Sequence, residues 1–301
     1  MTDVTNGTSM IIQTTILVLA AASLGFSLWA ARRGSPIVAI FGRWIRWFFL
    51  ATLISGATYI YGWSGHSFPV LFAVALLGIF LVETTYNWIA ISALSKSELP
   101  LFPEFSENER GEEWPSSPPF LNLKDWLRRN EYQKRQALVS TIEDNILMRV
   151  SAYENPQQTE RLHVLFLPNP RGNSAVCLTF ISETRSGTVL VTDNVFLPFG
   201  GFYPENWDVE RRPWTRSPDQ LMNRHRARID ARAETLTPFV TTPLEQINED
   251  QRVVEQLNRD LGFLNTRVDE MEKGRLTTAG KARVWQEVWT LSYLGIPLRY
   301  S

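Results

Sequence analysis

The sequence is short of several residue types, and each shortage excludes a class of function. It has one cysteine, Cys177, which rules out an intramolecular disulfide and a thiolate zinc cluster. Its three histidines, His66, His163 and His225, are scattered without metal-ligand spacing, so no metal is expected. The chain contains no GxSxG, HExxH or GxGxxG. Gly274–Ala282 resembles a phosphate loop, but five residues separate its glycines where four are required. Ala282 also replaces the hydroxyl that would hold Mg²⁺. That segment reads instead as a helix end at Gly274 and a helix cap at Thr277. No catalytic residue or cofactor is assigned, and the residues lean away from an enzyme. A formal net charge of −1 argues against a broadly basic nucleic-acid binder.

Charge is scarcest in the first third. Residues 1–95 hold six charged side chains (Asp3, Arg32, Arg33, Arg43, Arg46 and Glu83), and residues 96–301 hold the other 55. A single soluble domain does not have that profile. No charge falls between Asp3 and Arg32, a gap of 28 residues, nor within Trp47–Val82, a run of 36. The first gap is long enough for one membrane helix, and the second, broken by Ser64-Gly65-His66-Ser67 and Pro69, for a helical hairpin. The spans are placed at about 10–31, 42–63 and 69–94. The N-terminal tail lacks Lys and Arg, unlike a cleavable signal peptide. Ala21 and Gly25 form a weak small-xxx-small pair on the first span.

Four arginines surround the first loop and none the second. The positive-inside bias therefore places the N-terminus outside and residues from 95 onward in the cytoplasm. Arg outnumbers Lys 25 to 5, which leans toward a bacterial source and so a bacterial inner membrane. Glu83 is the one acid within a span, and such a group calls for a partner. In an antiparallel hairpin it falls near the level of Phe49, within reach of Arg46 one helical turn away. An Arg46–Glu83 pair is the expected arrangement, with an ion pathway as the functional alternative.

Residues 96–121 carry five prolines and six glutamates against one Lys and one Arg. They read as an extended acidic spacer. The remainder, 122–301, reads as an α+β domain with a small antiparallel sheet flanked by helices. A helix is expected over 122–152. Strands are expected at 161–167, 174–182 and 187–192, with another at Val195–Phe199. Cys177, on a strand apolar on both faces, is expected in the core. Ser217-Pro218-Asp219-Gln220 and Thr242-Pro243-Leu244-Glu245 mark two helix starts. The second opens a heptad whose seam (Ile247, Asp250, Val254, Leu257, Leu261, Leu264, Val268, Met271) is apolar at seven of eight positions. It is expected to pack on helix 122–152 or to join two copies through 247–271. The C-terminal helix carries Val284, Trp285, Val288, Trp289, Leu291 and Tyr293, and is expected in the domain core or at the bilayer interface.

Arg211, Arg212, Arg216, Arg224, Arg228 and Arg232 fall within 22 residues, and guanidinium forks suit phosphate and carboxylate. They form a candidate surface for an acidic protein or an anionic headgroup. The expectation is therefore an integral membrane protein whose cytoplasmic domain is a membrane-tethered binding or regulatory module, with the lipid bilayer as its first partner. The alternatives are a small transport or ion-pathway component using Glu83, and a membrane-anchored enzyme built around His225, Asp193 and the arginines.

Overall fold

The computed structural model describes residues 2–33, 36–111, 114–143, 146–167 and 175–298. The chain divides into two compact units, residues 1–92 with 285–296, and residues 93–284 with 297–301. The side chains of Arg32 and Arg33 and residues 168–174 lie outside the described residues.

The first unit is built from α1 (Thr2–Arg33), α2 (Pro36–Ile60) and most of α3 (Phe68–Lys96). Segments Met10–Trp29, Ile37–Ile60 and Phe68–Lys96 are each long and apolar enough to cross a membrane. α1 meets α2 at Gly56, where a Cβ would lie 2.8 Å from a methyl of Ile12. Ala21 and Gly25 are exposed and play no part in that contact. The unit also takes residues 285–296. Trp289, at the end of α8 (Thr278–Trp289), and Tyr293, in the π-helical turn Thr290–Leu294, pack their rings on Trp47 of α2. The Arg43 guanidinium donates to Ser292 O at 2.6 Å and the Trp44 indole to Tyr293 O at 2.9 Å. Donors aimed at carbonyls of a helix C-terminus satisfy groups the helix leaves open.

The second unit is organised by a mixed sheet in the order β1-β2-β3-β4-β5-β6-β7, with β8 extending one end of β5. Its strands are β1 (Ser106–Glu107), β2 (Gln133–Glu143), β3 (Ile146–Glu154), β4 (Arg161–Leu167), β5 (Ala175–Thr184), β6 (Val189–Asp193), β7 (Trp207–Arg211) and β8 (Leu236–Thr237). All pairings are antiparallel except β6 with β7. Strands alternate their side chains between the two faces. Leu162, Val164, Phe166, Leu178 and Phe180 form one core with α4 (Pro118–Arg129) and with Leu221 and Met222 of α5 (Pro218–Arg232). The alternate residues look to the opposite face, where α6 (Pro243–Asp260) brings Leu244 and Ile247 to Phe105, Leu138 and Val150.

Several expectations are corrected. Residues 122–152 are not one helix: α4 ends at Arg129 and a β2–β3 hairpin follows. The sheet is larger than expected and mixed rather than antiparallel. Val195–Phe199 forms no strand; the edge partner of β6 is β7, in a stretch without a strand signal. The acidic spacer contributes β1 and the buried Phe105, whose amide and carbonyl both bond the Asn248 side chain at 2.9 Å. The heptad is not one helix either. α6 stops at Asp260, Gly262 takes φ +71, and a separate α7 (Arg267–Lys273) leaves Val268 and Met271 exposed. Both helix starts form as expected, with Ser217 accepting from the Gln220 amide and a full capping box at Thr242 and Glu245.

Candidate ligand-binding cavity

The sheet face that carries α6 is only partly covered by it. Between that face, α6 and the segments around 101–105 and 195–203 lies a cavity of about 440 Å³. That size falls within the range of about 300–1,000 Å³ typical of small-molecule sites. Its wall is dominated by apolar side chains, among them Phe105, Leu165, Ile181, Val191, Phe199 and Val254. The segment 195–203 is held over it by Asn258 of α6, which donates to Phe202 O and accepts from Phe202 N, both at 2.8 Å. Gly200, at φ +72, packs against the backbone of Val284, where a Cβ would come within 2.8 Å. Gly280 has the same cause, since a Cβ there would clash with Phe263 O. The glycine of the apparent phosphate loop is thus a packing residue.

One polar line crosses this apolar wall. His163 on β4 is registered opposite Thr179 on β5, Thr179 opposite Asp193 on β6, and Asp193 opposite Arg211 on β7. Directly opposed residues lie about 5 Å apart on one face, and all four line the cavity. The row on one side holds Val150 and Leu165, and the row on the other holds Ile181 and Val191, with Arg161 of β4 standing opposite Ile181. Arg211 lies 3.5 Å from the Asp193 carboxylate and donates to Leu197 O and to the Tyr203 hydroxyl. The Asp193 carboxylate also accepts from the Val195 amide at 2.9 Å. His163 is 6% exposed, and its buried Nε2 has no hydrogen-bond partner among the described residues. Burial, with the Arg161 guanidinium nearby, pushes this imidazole down to about 3, so it is neutral at physiological pH. Across the cavity, burial raises the Asp250 carboxyl on α6 to about 7 against the opposing pull of Arg161.

Of the residues singled out from sequence, Asp193 and Arg211 line this cavity, and the others fall elsewhere or in other roles. Arg228 is buried, 2.7 Å from Asp208 and hydrogen-bonded to Val191 O and Thr192. Arg232 pairs with Asp208 at 2.7 Å, and Arg212 and Arg224 each with Glu210 at 2.9 Å. Arg216 is exposed, with its basicity lowered by desolvation of its guanidinium. The stripe is therefore an ion-pair ladder between α5 and β7, with its charge largely matched inside the fold. His225 is buried with Nδ1 2.9 Å from the Thr192 hydroxyl and Nε2 3.1 Å from that of Ser182, on the face away from the cavity. Burial pushes it, too, to about 3. Cys177 is buried and pushed up to about 12, which makes it inert as a nucleophile. In the first unit Glu83 accepts from the Tyr293 hydroxyl at 2.7 Å, and among the described residues it forms no ion pair with Arg46.

Sequence reasoning places His163 near the start of a strand and Asp193 just beyond one, naming Asp193 only for the enzyme alternative. The signal that joins them is one polar residue per strand at matching register, which is visible only once the strand pairing is known. No cluster of His, Cys, Asp and Glu that could hold a metal occurs among the described residues. Comparison with models of protein families, with curated proteins and with solved structures finds no match for this chain.

Proposed function

We propose that the chain is a membrane-tethered binding protein whose α+β unit holds an apolar small molecule, such as a lipid chain, in the sheet-face cavity. The observation that carries this reading is the cavity itself, a largely apolar space of about 440 Å³ crossed by a single line of polar groups. Apolar walls supply affinity through burial, at about 25 cal/mol per Å², and a few placed polar groups supply orientation. The three apolar helices support a membrane location, where such molecules are abundant. The arginine loop remains the argument for a cytoplasmic orientation. The reading needs no catalytic group, and the two residues nearest to one, His225 and Cys177, are both locked in the core.

The test uses the full chain in lipid nanodiscs, extracted with organic solvent and analysed by mass spectrometry. The expected result is near-stoichiometric retention of an apolar compound beyond that of empty nanodiscs. A double variant that fills the cavity, Val191→Trp with Val254→Trp, should lose that excess while keeping its secondary structure. Equal retention by the native chain and the folded filled variant would refute the reading.

A further inference from the structure

This inference rests on the cavity being a binding site and concerns the charge of the molecule it selects. Three charged side chains line the wall: Asp193, Arg211 and Asp250. Asp193 and Arg211 face each other at 3.5 Å, and their side chains are 6% and 4% exposed. That pair is neutral as a unit and closed to a ligand. Asp250 differs on both counts. It is half-buried, and its carboxylate oxygens remain accessible. Among the described residues they make no hydrogen bond and no ion pair. The charged groups that act on it are Arg161 on β4, Glu183 on β5 and Glu249 on its own helix. Arg161 is committed to Glu154 at 2.6 Å and to Thr241 O at 2.8 Å. Burial outweighs the pull of Arg161, so the carboxyl rises to about 7. The fold thus gives this carboxylate less positive charge than its ionised form needs. A ligand anion would bring a second negative charge to it, and burying unpaired charge is costly. A cation supplies what is missing. The aromatic part of the wall acts in the same sense. Phe105, Phe199, Tyr203 and Trp207 line the cavity, and aromatic faces attract cations and disfavour anions.

We propose that the cavity selects apolar molecules that carry an ammonium head, with the head against the Asp250 carboxylate and the apolar body along Ile181, Val191 and Val254. Ionised Asp250 gains a counter-charge only in the complex, so binding and ionisation support one another.

Saturable binding of radiolabelled dodecyltrimethylammonium, dodecanol and dodecanoate to the full chain in nanodiscs of zwitterionic lipid, corrected by empty nanodiscs, tests the proposal. At pH 8 the cation should bind at least about tenfold tighter than dodecanol, and dodecanoate more weakly than dodecanol. The charge of the cation is fixed, so a change in its affinity between pH 6 and pH 8 reports on the protein. That affinity should rise up to about tenfold over this range as Asp250 ionises, while His163, at about 3, stays neutral. Asp250→Asn should lower binding of the cation to that of dodecanol, flatten the pH response and leave dodecanol binding intact. Dodecanol or dodecanoate binding as tightly as the cation at pH 8, or a cation preference that survives in folded Asp250→Asn, would overturn the charge selectivity while leaving the apolar site standing. Failure of all three probes to bind above empty nanodiscs would overturn the site itself.

Discussion

Arg228 shows how a charged residue expected at the surface becomes part of a core. Its guanidinium lies 2.7 Å from Asp208, and it is also within 3.4 Å of Glu210 while bonding Val191 O and Thr192. Removing it takes a buried donor from Val191 O and Thr192, while Asp208 keeps Arg232 and Glu210 keeps Arg212 and Arg224. Arg228→Ala should cost about 2–3 kcal/mol, the penalty of unsatisfied buried acceptors, whereas Arg212→Ala, half-exposed on the same ladder, should cost about 1 kcal/mol or less. Thermal denaturation of the two variants in nanodiscs checks the contrast. The misreading has a plain cause. The acids that neutralise the arginines, Asp208 and Glu210, stand just before the 22-residue window that holds the cluster, and only the β7–α5 packing brings them to it. Asp250 gives a second residue-scale prediction. Its carboxyl is raised to about 7 by burial, so the folded state favours the neutral form. Its contribution is complete below the unfolded value near 3.9, is lost as pH rises toward 7, and is level beyond. Asp250→Asn should therefore gain nothing near pH 4 and about 2–4 kcal/mol at pH 8, since each pH unit between the unfolded and folded values is worth about 1.4 kcal/mol. Measuring native and variant stability across that range isolates the effect from His163 and His225, whose depressed values act in the opposite direction and are common to both proteins.

Among the elements, those carrying their own punctuation are legible from the chain. The capping signals at Ser217 and Thr242 form as written because N-cap and third-residue contacts are local. The three long apolar helices stand close to the expected spans for the same reason, since hydropathy along a helix needs no tertiary information. The β2–β3 hairpin escapes a helical reading only with difficulty, because Leu138, Ile142, Ile146 and Val150 also recur at helical spacing. The heptad fails at Gly262, whose left-handed φ ends the helix whatever the apolar seam beyond it. The C-terminal element is apolar nearly all round, a pattern that names no definite partner. Its rings pack on Trp47, and its Tyr293 hydroxyl occupies Glu83, the acid for which sequence suggests Arg46. Tyr293→Phe removes that donor and keeps the ring. It should lower stability by about 1–3 kcal/mol in nanodiscs, and Glu83→Gln, which can still accept the bond, by less. An equal and negligible effect of both changes would show that this contact contributes nothing to stability.

Across the whole molecule, sequence divides the chain by charge, and the fold redraws the division. Residues 285–296 belong with the apolar helices, and the acidic segment near 105 belongs with the sheet. The cavity is the part that sequence could not reveal. Its apolar walls come from strands, α6 and the segments around 101–105 and 195–203, and its polar line depends on the register of four strands. The central claim is that this space holds an apolar ligand, and photo-cross-linking tests it most directly. A diazirine-bearing dodecanol would be equilibrated with the full chain in nanodiscs and irradiated, and the adducts mapped by peptide mass spectrometry. A ligand seated in the cavity predicts adducts on β4–β6 and α6, at residues such as Leu165, Val191 and Val254, which excess unlabelled dodecanol removes. Adducts confined to the apolar helices at 10–96 and 285–296 would contradict it.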